Sequence, residues 1–218
     1  MSPKSKIKVK VCGMKHPQNI QEVSALGPDY LGFIFYPRSA RHCQDGGKEI
    51  LKHIVGNAVP VMVSVDMSEE ELIQIVDEWG FRVVQLHGNE TPELCQRLRE
   101  RGLEVWKAIS IGGNIHYPEN SCFDKTAPYE GVVDMFLFDT ASKSYGGSGK
   151  KFDWHLLDEY KGSTPFMLSG GISSGDEEEI LKLNHPMLAG VDLNSRFEIS
   201  PGLKNINRLS AFISNLKR

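Results

Sequence analysis

Short apolar runs rich in β-branched and aromatic residues recur along this chain at near-even intervals, and few architectures accept eight of them. They are KVKVC (8–12), YLGFIF (30–35), VPVMVSV (59–65), VVQLH (83–87), EVWKAI (104–109), DMFLFD (134–139), PFMLS (165–169) and AGVDL (189–193). Between most of them the apolar spacing changes to that of a helix face, as in Ile50, Leu51, Ile54 and Val55, or Leu72, Ile73, Val76 and Trp79. Ile206, Leu209, Ile213 and Leu216 form a last such face. Ser68 with Glu71 spells a capping box, and Thr91-Pro92 supplies an N-cap followed by an N1 proline. Strand then helix, eight times over, predicts parallel α/β architecture. The count, the even spacing and the lack of G-x-G-x-x-G after the first strand favour a closed (β/α)8 barrel over an open doubly wound sheet. The fifth repeat is the weakest. NIHYPENSCFDKTAPYEG (114–131) carries two prolines and poor periodicity, which predicts a broken helix or a loop. No linker or composition shift divides the 218 residues, so one domain over 1–218 is expected.

A formal net charge of -3 provides no basic field for nucleic acid or an anionic membrane, so neither partner is expected. Near the N-terminus, Ile7, Val9 and Val11 alternate with Lys8 and Lys10, which reads as a strand and not as the apolar heart of a signal peptide. Crossing a bilayer takes about 20 consecutive apolar residues, and no such run occurs. Cys12, Cys43, Cys95 and Cys122 are widely spaced with no C-x-x-C pair, unlike a disulfide framework or a zinc ribbon. A cytoplasmic protein is the expectation.

In a barrel, alternate strand residues face the interior, and sites lie at the C-terminal strand ends. If Val9 and Val11 face the helices, Lys8, Lys10 and Cys12 point inward, with Cys12 at the top. The same parity on the sixth strand turns Phe136 and Phe138 outward and leaves Leu137 and Asp139 inward. Gln85 and His87 are inward on the fourth strand and Asp192 on the eighth. Each has a plain reading beside the chemical one. A lone strand-end cysteine is ordinarily a small buried hydrophobe, an aspartate there caps a turn, His87 can be a wall residue, and Lys10 can pair with a carboxylate inside the barrel. Several polar residues gathered on one rim favour chemistry.

Two later loops read as an anion site. SGGIS (169–173) offers backbone N–H groups around Gly170 and Gly171, and DLNSRFE (192–198) carries Asn194, Ser195 and Arg196 as donors. Loops after the seventh and eighth strands are the usual phosphate site of such barrels, so a phosphorylated small molecule is the expected partner. The glycine-rich SYGGSGKK (144–151) resembles a nucleotide loop, but Ser144 stands where a Walker A motif needs its first glycine and Lys151 where it needs a hydroxyl.

Taken together, KVCGM (10–14), LGFIFYPRSAR (31–41), VVQLHGNE (83–90), FDT (138–140), YGGSGKKFDW (145–154), LSGGI (168–172), VDLNSRFE (191–198) and SPGLK (200–204) resemble the phosphoribosylanthranilate isomerase family of tryptophan biosynthesis over nearly the full length. The resemblance implies a (β/α)8 TIM barrel that needs no metal or organic cofactor. It also implies an Amadori rearrangement of N-(5-phosphoribosyl)anthranilate, with Asp139 as the general acid at the furanose oxygen and Cys12 as the general base at C2′. For that division the carboxyl must keep a proton and the thiol lose one, the reverse of their isolated behaviour, with Lys10 as a cationic neighbour for Cys12. Arg41 matches the arginine that meets the anthranilate carboxylate, with Arg38 as an alternative. Gly170, Gly171 and Asn194 to Arg196 match the phosphate grip, and His87 and Asp192 complete the candidate substrate-binding set. Arg196 stands where the family commonly has glycine, which removes easy access to positive φ and adds a charge for phosphate. SKSYGGSGKKFDW (142–154) resembles the family's mobile covering loop, with Phe152, Asp153 and Trp154 anchoring the next helix. Other phosphate-binding barrels compete less well. Sugar-phosphate epimerases need a metal-binding set of His and Asp that is absent here, and indole-forming synthases open on Glu-x-Lys where this chain has Lys8-Val9-Lys10. A non-catalytic barrel that binds a phosphorylated metabolite is the remaining alternative.

Overall fold

Alternation of buried side chains over two faces decides the architecture, because a strand buried on both sides needs helices outside it and other strands around it. A computed structural model describes residues 7–43, 46–112, 121–140 and 151–218. Eight parallel strands close into a barrel in sequence order: β1 (Lys8–Cys12), β2 (Tyr30–Phe35), β3 (Val59–Ser64), β4 (Val83–Leu86), β5 (Glu104–Ile111), β6 (Met135–Thr140), β7 (Phe166–Leu168) and β8 (Leu188–Leu193). Closure is made by β1 against β8, with Lys8 opposite Gly190 and Lys10 opposite Asp192.

Two apolar clusters follow the predicted parity. Cys12, Tyr30, Val61, Val63, Val83, Trp106, Met135, Leu137 and Met167 fill the interior. Val9, Val11, Phe33, Phe35, Phe136 and Phe138 belong to the separate layer between barrel and helices. Tyr30 and Trp106 pack edge to face at 4.8 Å inside the barrel, and the indole N–H donates to Glu104 at 2.7 Å. The interior is therefore a packed core with polar chemistry left to the upper rim.

The α-helices are α1 (Pro17–Ala25), α2 (Glu69–Trp79), α3 (Pro92–Glu100), α4 (Glu177–Lys182) and α5 (Ile206–Leu216). Ser68 Oγ accepts the Glu71 N–H and Thr91 Oγ1 accepts the Leu94 N–H, so both predicted caps form. Leu209, Ile213 and Leu216 of α5 are buried as the spacing predicts.

Three crossovers carry a 3-10 helix, two of them where an α-helix is expected and one, after β5, where a broken helix or a loop is. The interval after β2 forms a 3-10 helix at Lys48–His53, where Ile50 is buried while Val55, placed on the same predicted face, is 37% exposed. After β5 the weak repeat contributes a 3-10 helix at Asp124–Tyr129 containing Pro128, which cannot donate to a longer ladder. After β6 the helix is 3-10 again, at Trp154–Glu159. These turns are too short to establish an i→i+4 pattern, and apolar spacing over six residues does not separate the two helix types. A small hairpin, β9 (Glu198–Ser200) with β10 (Leu203–Lys204), is inserted between β8 and α5 and was not predicted. Among the described residues no helix is long and apolar enough to cross a membrane.

Candidate active site

Cys12 ends β1 on the inner face and is 4% exposed. The chain then turns at Gly13, whose φ of +78° lies in the region that favours glycine, and the Gly13 and Met14 N–H groups both donate to the Gly32 carbonyl at 2.9 Å. Space for the thiol comes from β2. A Cβ on Gly32 would stand 2.8 Å from Cys12 Sγ and 3.1 Å from Lys10 Nζ. Below the thiol, Lys10 Nζ donates to Asp192 Oδ1 at 2.9 Å with both side chains buried.

Opposite, Asp139 sits near the end of β6. Its Oδ1 accepts the Thr140 N–H at 2.8 Å, and its Oδ2 lies 3.4 Å from His87 Nε2. Gln85, buried on β4, brings Nε2 to 2.9 Å from His87 Nδ1. With the amide donating, Nδ1 is the acceptor and the neutral ring's proton lies on Nε2, the nitrogen that faces Asp139. Gly170, at φ +86°, lets the loop after β7 press on this carboxylate, since a Cβ there would meet Asp139 Oδ1 at 2.7 Å and Thr140 Oγ1 at 2.3 Å.

One cavity of about 750 Å³, its opening included, unites these groups. Cys12, Asp139, His87, Asp192, Gly170, Gly171, Asn194, Ser195 and Arg196 all line it. The backbone at Gly170 and Gly171 takes φ of +86° and +70° beside the 3-10 turn Ser195–Phe197. Asn194 Oδ1 accepts from Lys204 Nζ at 2.8 Å, which leaves its amide N–H groups as the donors of that side chain.

Arg41 is placed differently. Its Nε and Nη2 form a fork on the Glu198 carboxylate, at 2.9 and 2.7 Å, and the side chain lies against Gly13, outside the cavity wall formed by the described residues. The Glu198 hydrogen bond holds the guanidinium above its ordinary range.

Electrostatics correct one expectation. Burial pushes the Cys12 thiol up, and the opposing pull of Lys10 and Lys204 does not reverse it. Lys10 is shared between Asp192 and the thiol. Burial opposes the ammonium, yet Asp192 and Cys12 hold it above its ordinary range, while burial raises the Asp192 carboxyl.

Sequence reasoning assigned no role to Glu198 or Lys204. Glu198 accepts from Arg41, from Lys204 at 2.8 Å and from the Gly202 N–H at 3.0 Å. Their signal was the SPGLK segment, whose Gly202, at φ +85°, turns the hairpin back toward β1. Of the expected covering loop, residues 141–150 lie outside the described residues. Beyond it, Phe152 and Trp154 are buried and Asp153 caps the next turn by accepting the His155 N–H at 3.0 Å, as expected of an anchor. Lys151 pairs with Asp176 and lies 4.8 Å over the Trp154 ring.

The family model described as N-(5'phosphoribosyl)anthranilate (PRA) isomerase matches residues 9–215. The N-(5'-phosphoribosyl)anthranilate isomerase of Parabacteroides distasonis is 46% identical over 210 residues, covering 95% of this chain and 92% of that protein. The crystal structure of phosphoribosyl anthranilate isomerase from Thermotoga maritima superposes with a TM-score of 0.82 at 29% identity, covering 97% of this chain and 98% of that one. A phosphoribosyl anthranilate isomerase in complex with reduced 1-(o-carboxyphenylamino)-1-deoxyribulose 5-phosphate superposes with a TM-score of 0.79 at 26% identity, covering 97% and 98% of the two chains.

Proposed function

The chain belongs to the N-(5'-phosphoribosyl)anthranilate isomerase family and catalyses that family's step of tryptophan biosynthesis, and we propose that Cys12 and Asp139 are the base and acid that carry it. The substrate is N-(5-phosphoribosyl)anthranilate and the product 1-(o-carboxyphenylamino)-1-deoxyribulose 5-phosphate. The observation that carries the residue assignment is that a thiol from β1 and a carboxyl from β6 line one cavity. Two such groups can serve two faces of one sugar.

Asp139, as the carboxylic acid, gives its proton to the furanose oxygen while the bond from that oxygen to C1′ breaks and the anthranilate nitrogen lone pair forms the Schiff base. Cys12, as the thiolate, removes the proton on C2′, and the electrons of that bond return to nitrogen through a new C1′–C2′ double bond. The enolamine then gains a proton at C1′ and loses one from the 2′-hydroxyl, giving the ketone with no atom added or lost. His87 directs its ring at Asp139, and Asp192 keeps Lys10 in place beneath the thiol. Gly170, Gly171 and the Asn194–Arg196 turn hold the phosphate through backbone and side-chain donors, where Arg196 adds charge. Arg41 is assigned the anthranilate carboxylate by the family resemblance, a role for which its guanidinium must turn from Glu198 toward the cavity. No metal or organic cofactor enters these steps, the 218 residues act as one barrel domain, and the cytoplasm is the place for a phosphorylated metabolite as its partner.

The test is turnover of enzymatically generated phosphoribosylanthranilate, followed by loss of its fluorescence, with wild-type protein and with Cys12→Ser and Asp139→Asn. Consumption by wild type and its collapse in both variants is the expected result. Binding without turnover by wild type would return the chain to the non-catalytic reading.

A further inference from the structure

Resting on the reading of Cys12 as the base, we propose that Lys204 is a positioning residue of the site, a second buried cation that supports Lys10 in favouring the Cys12 thiolate. The thiol needs such a partner, because an ion formed at a site 4% exposed loses most of its hydration. The charges around it come from five elements. Lys10 lies on its own strand, Asp192 on β8, Arg41 after β2, Glu198 on β9 and Lys204 on β10, while Asp139, His87 and Arg196 line the same cavity.

Asp192 accepts from Lys10 at 2.9 Å and offsets part of its charge. The second cluster is not neutral. Glu198 is the shared acceptor of Arg41, at 2.7 Å, and of Lys204, at 2.8 Å, so two cations share one carboxylate and one positive charge is in surplus. This surplus packs around Gly13, the residue that follows the base. A Cβ on Gly13, the residue after Cys12, would stand 2.7 Å from Arg41 Cδ and 3.0 Å from Asn194 Oδ1, the atom that Lys204 holds.

Lys204 is fixed there by its backbone as well. Its N–H donates to Asn19 Oδ1 at 2.7 Å and its carbonyl accepts from Asn19 Nδ2 at 3.0 Å, which clamps the hairpin to α1. The ammonium is 1% exposed, and burial draws it below its ordinary range, so the cluster carries a charge that its own ion pair does not repay. A thiolate at Cys12 supplies the missing anion. The coupling is reciprocal: the thiolate favours the ammonium and the ammonium favours the thiolate. Lys204 thus adds a second cation to Lys10, whose pull on the thiol Asp192 partly offsets.

The experiment is the alkylation rate of Cys12 by iodoacetamide as a function of pH, read site by site by peptide mass spectrometry so that Cys43, Cys95 and Cys122 do not contribute. It is run on wild type, Lys204→Gln, Lys204→Arg and Glu198→Gln, with kcat and KM measured in parallel. Lys204→Gln is expected to slow Cys12 alkylation at neutral pH on the order of tenfold and to lower kcat with KM nearly unchanged. Lys204→Arg keeps the charge and is expected to stay close to wild type. Glu198→Gln leaves both cations without their carboxylate and is expected to accelerate alkylation, a change of opposite sign. A merely loosened pocket would speed alkylation in both glutamine variants. That result, or an unchanged rate in Lys204→Gln, overturns the proposal, and if Lys204→Gln does not fold, a Glu198→Gln protein whose Cys12 alkylates no faster than wild type overturns it. Near-normal turnover by Cys12→Ser would defeat the assignment of the base, whereas the alkylation rates alone decide whether Lys204 favours the thiolate.

Discussion

Gly32 stands opposite Cys12 in the pairing of β1 with β2, and the place where its side chain would begin is 2.8 Å from the thiol sulfur. The glycine makes room for the base; no positive φ requires it. Gly32→Ala should therefore move Cys12 and Lys10 from their positions at an overpacking cost of about 1–3 kcal/mol. The expected outcome is a folded, modestly destabilised enzyme whose kcat falls at least tenfold, since small misplacements of reacting groups are costly. Urea unfolding alongside steady-state kinetics checks both halves. Wild-type kcat in Gly32→Ala would show that the sulfur is not held in place by this contact.

Cys12→Ser and Asp139→Asn test the acid and base separately. The serine hydroxyl is a far weaker acid than a thiol, so almost none of its basic form exists at neutral pH, and asparagine has no carboxylic proton to give. General acid–base catalysis contributes about 10²- to 10⁴-fold, and each variant should lose at least that order of kcat with KM little changed. A Cys12→Ser protein that circular dichroism shows to be folded and that keeps near-normal kcat would make Cys12 a buried hydrophobe and nothing more.

What the sequence disclosed follows from strand parity. The period of two fixes which side chains face inward, so Cys12 and Asp139 could be placed at the mouth and Gln85, His87 and Asp192 inward without a structure, and all of them line the cavity. The glycine pair Gly170 and Gly171 was readable because its chemistry is local. Glu198 and Lys204 were not, because β9 and β10 are too short to show a period and because Arg41 and Glu198 meet across 157 residues of chain. The direction of the Cys12 shift was equally hidden. It depends on burial outweighing two cations, and burial at one sulfur is a property of the closed barrel. The 3-10 form of the crossovers after β2 and β6 was missed for a simpler reason: two turns of helix carry too few apolar positions to fix their pitch.

Arg41→Ala should weaken binding more than chemistry. A carboxylate remote from the reacting carbons is held about equally in ground and transition states, so loss of its partner raises KM, while the loss of surplus charge around Gly13 lowers kcat by no more than about tenfold. Hydrogen bonds to charged groups contribute about 1.5–3 kcal/mol, which corresponds to a KM increase of roughly ten- to hundredfold. Saturation kinetics distinguish the outcomes, and a collapsed kcat at fixed KM would remove Arg41 from the role of carboxylate clamp.

The same cluster makes a prediction about acid stability. Burial works to raise the Glu198 carboxyl, but hydrogen bonds and charge from Arg41 and Lys204 overcome it and leave the group below its ordinary value of 4.5. The native state therefore binds this proton less readily than the unfolded chain does. Stability from Glu198 is fully present above the unfolded value, and it is lost as pH falls through the lower native one. Glu198→Gln cannot ionise and lacks this contribution at every pH. The difference in unfolding free energy between wild type and Glu198→Gln should thus be steady from neutral pH down to about pH 5 and narrow below 4.5. Urea titrations of both proteins at stepped pH measure it, with the other carboxyl groups common to the two and cancelling in the difference. A gap that stays constant to the lowest pH at which both proteins fold would mean that Arg41 and Lys204 do not favour the Glu198 anion in the native state.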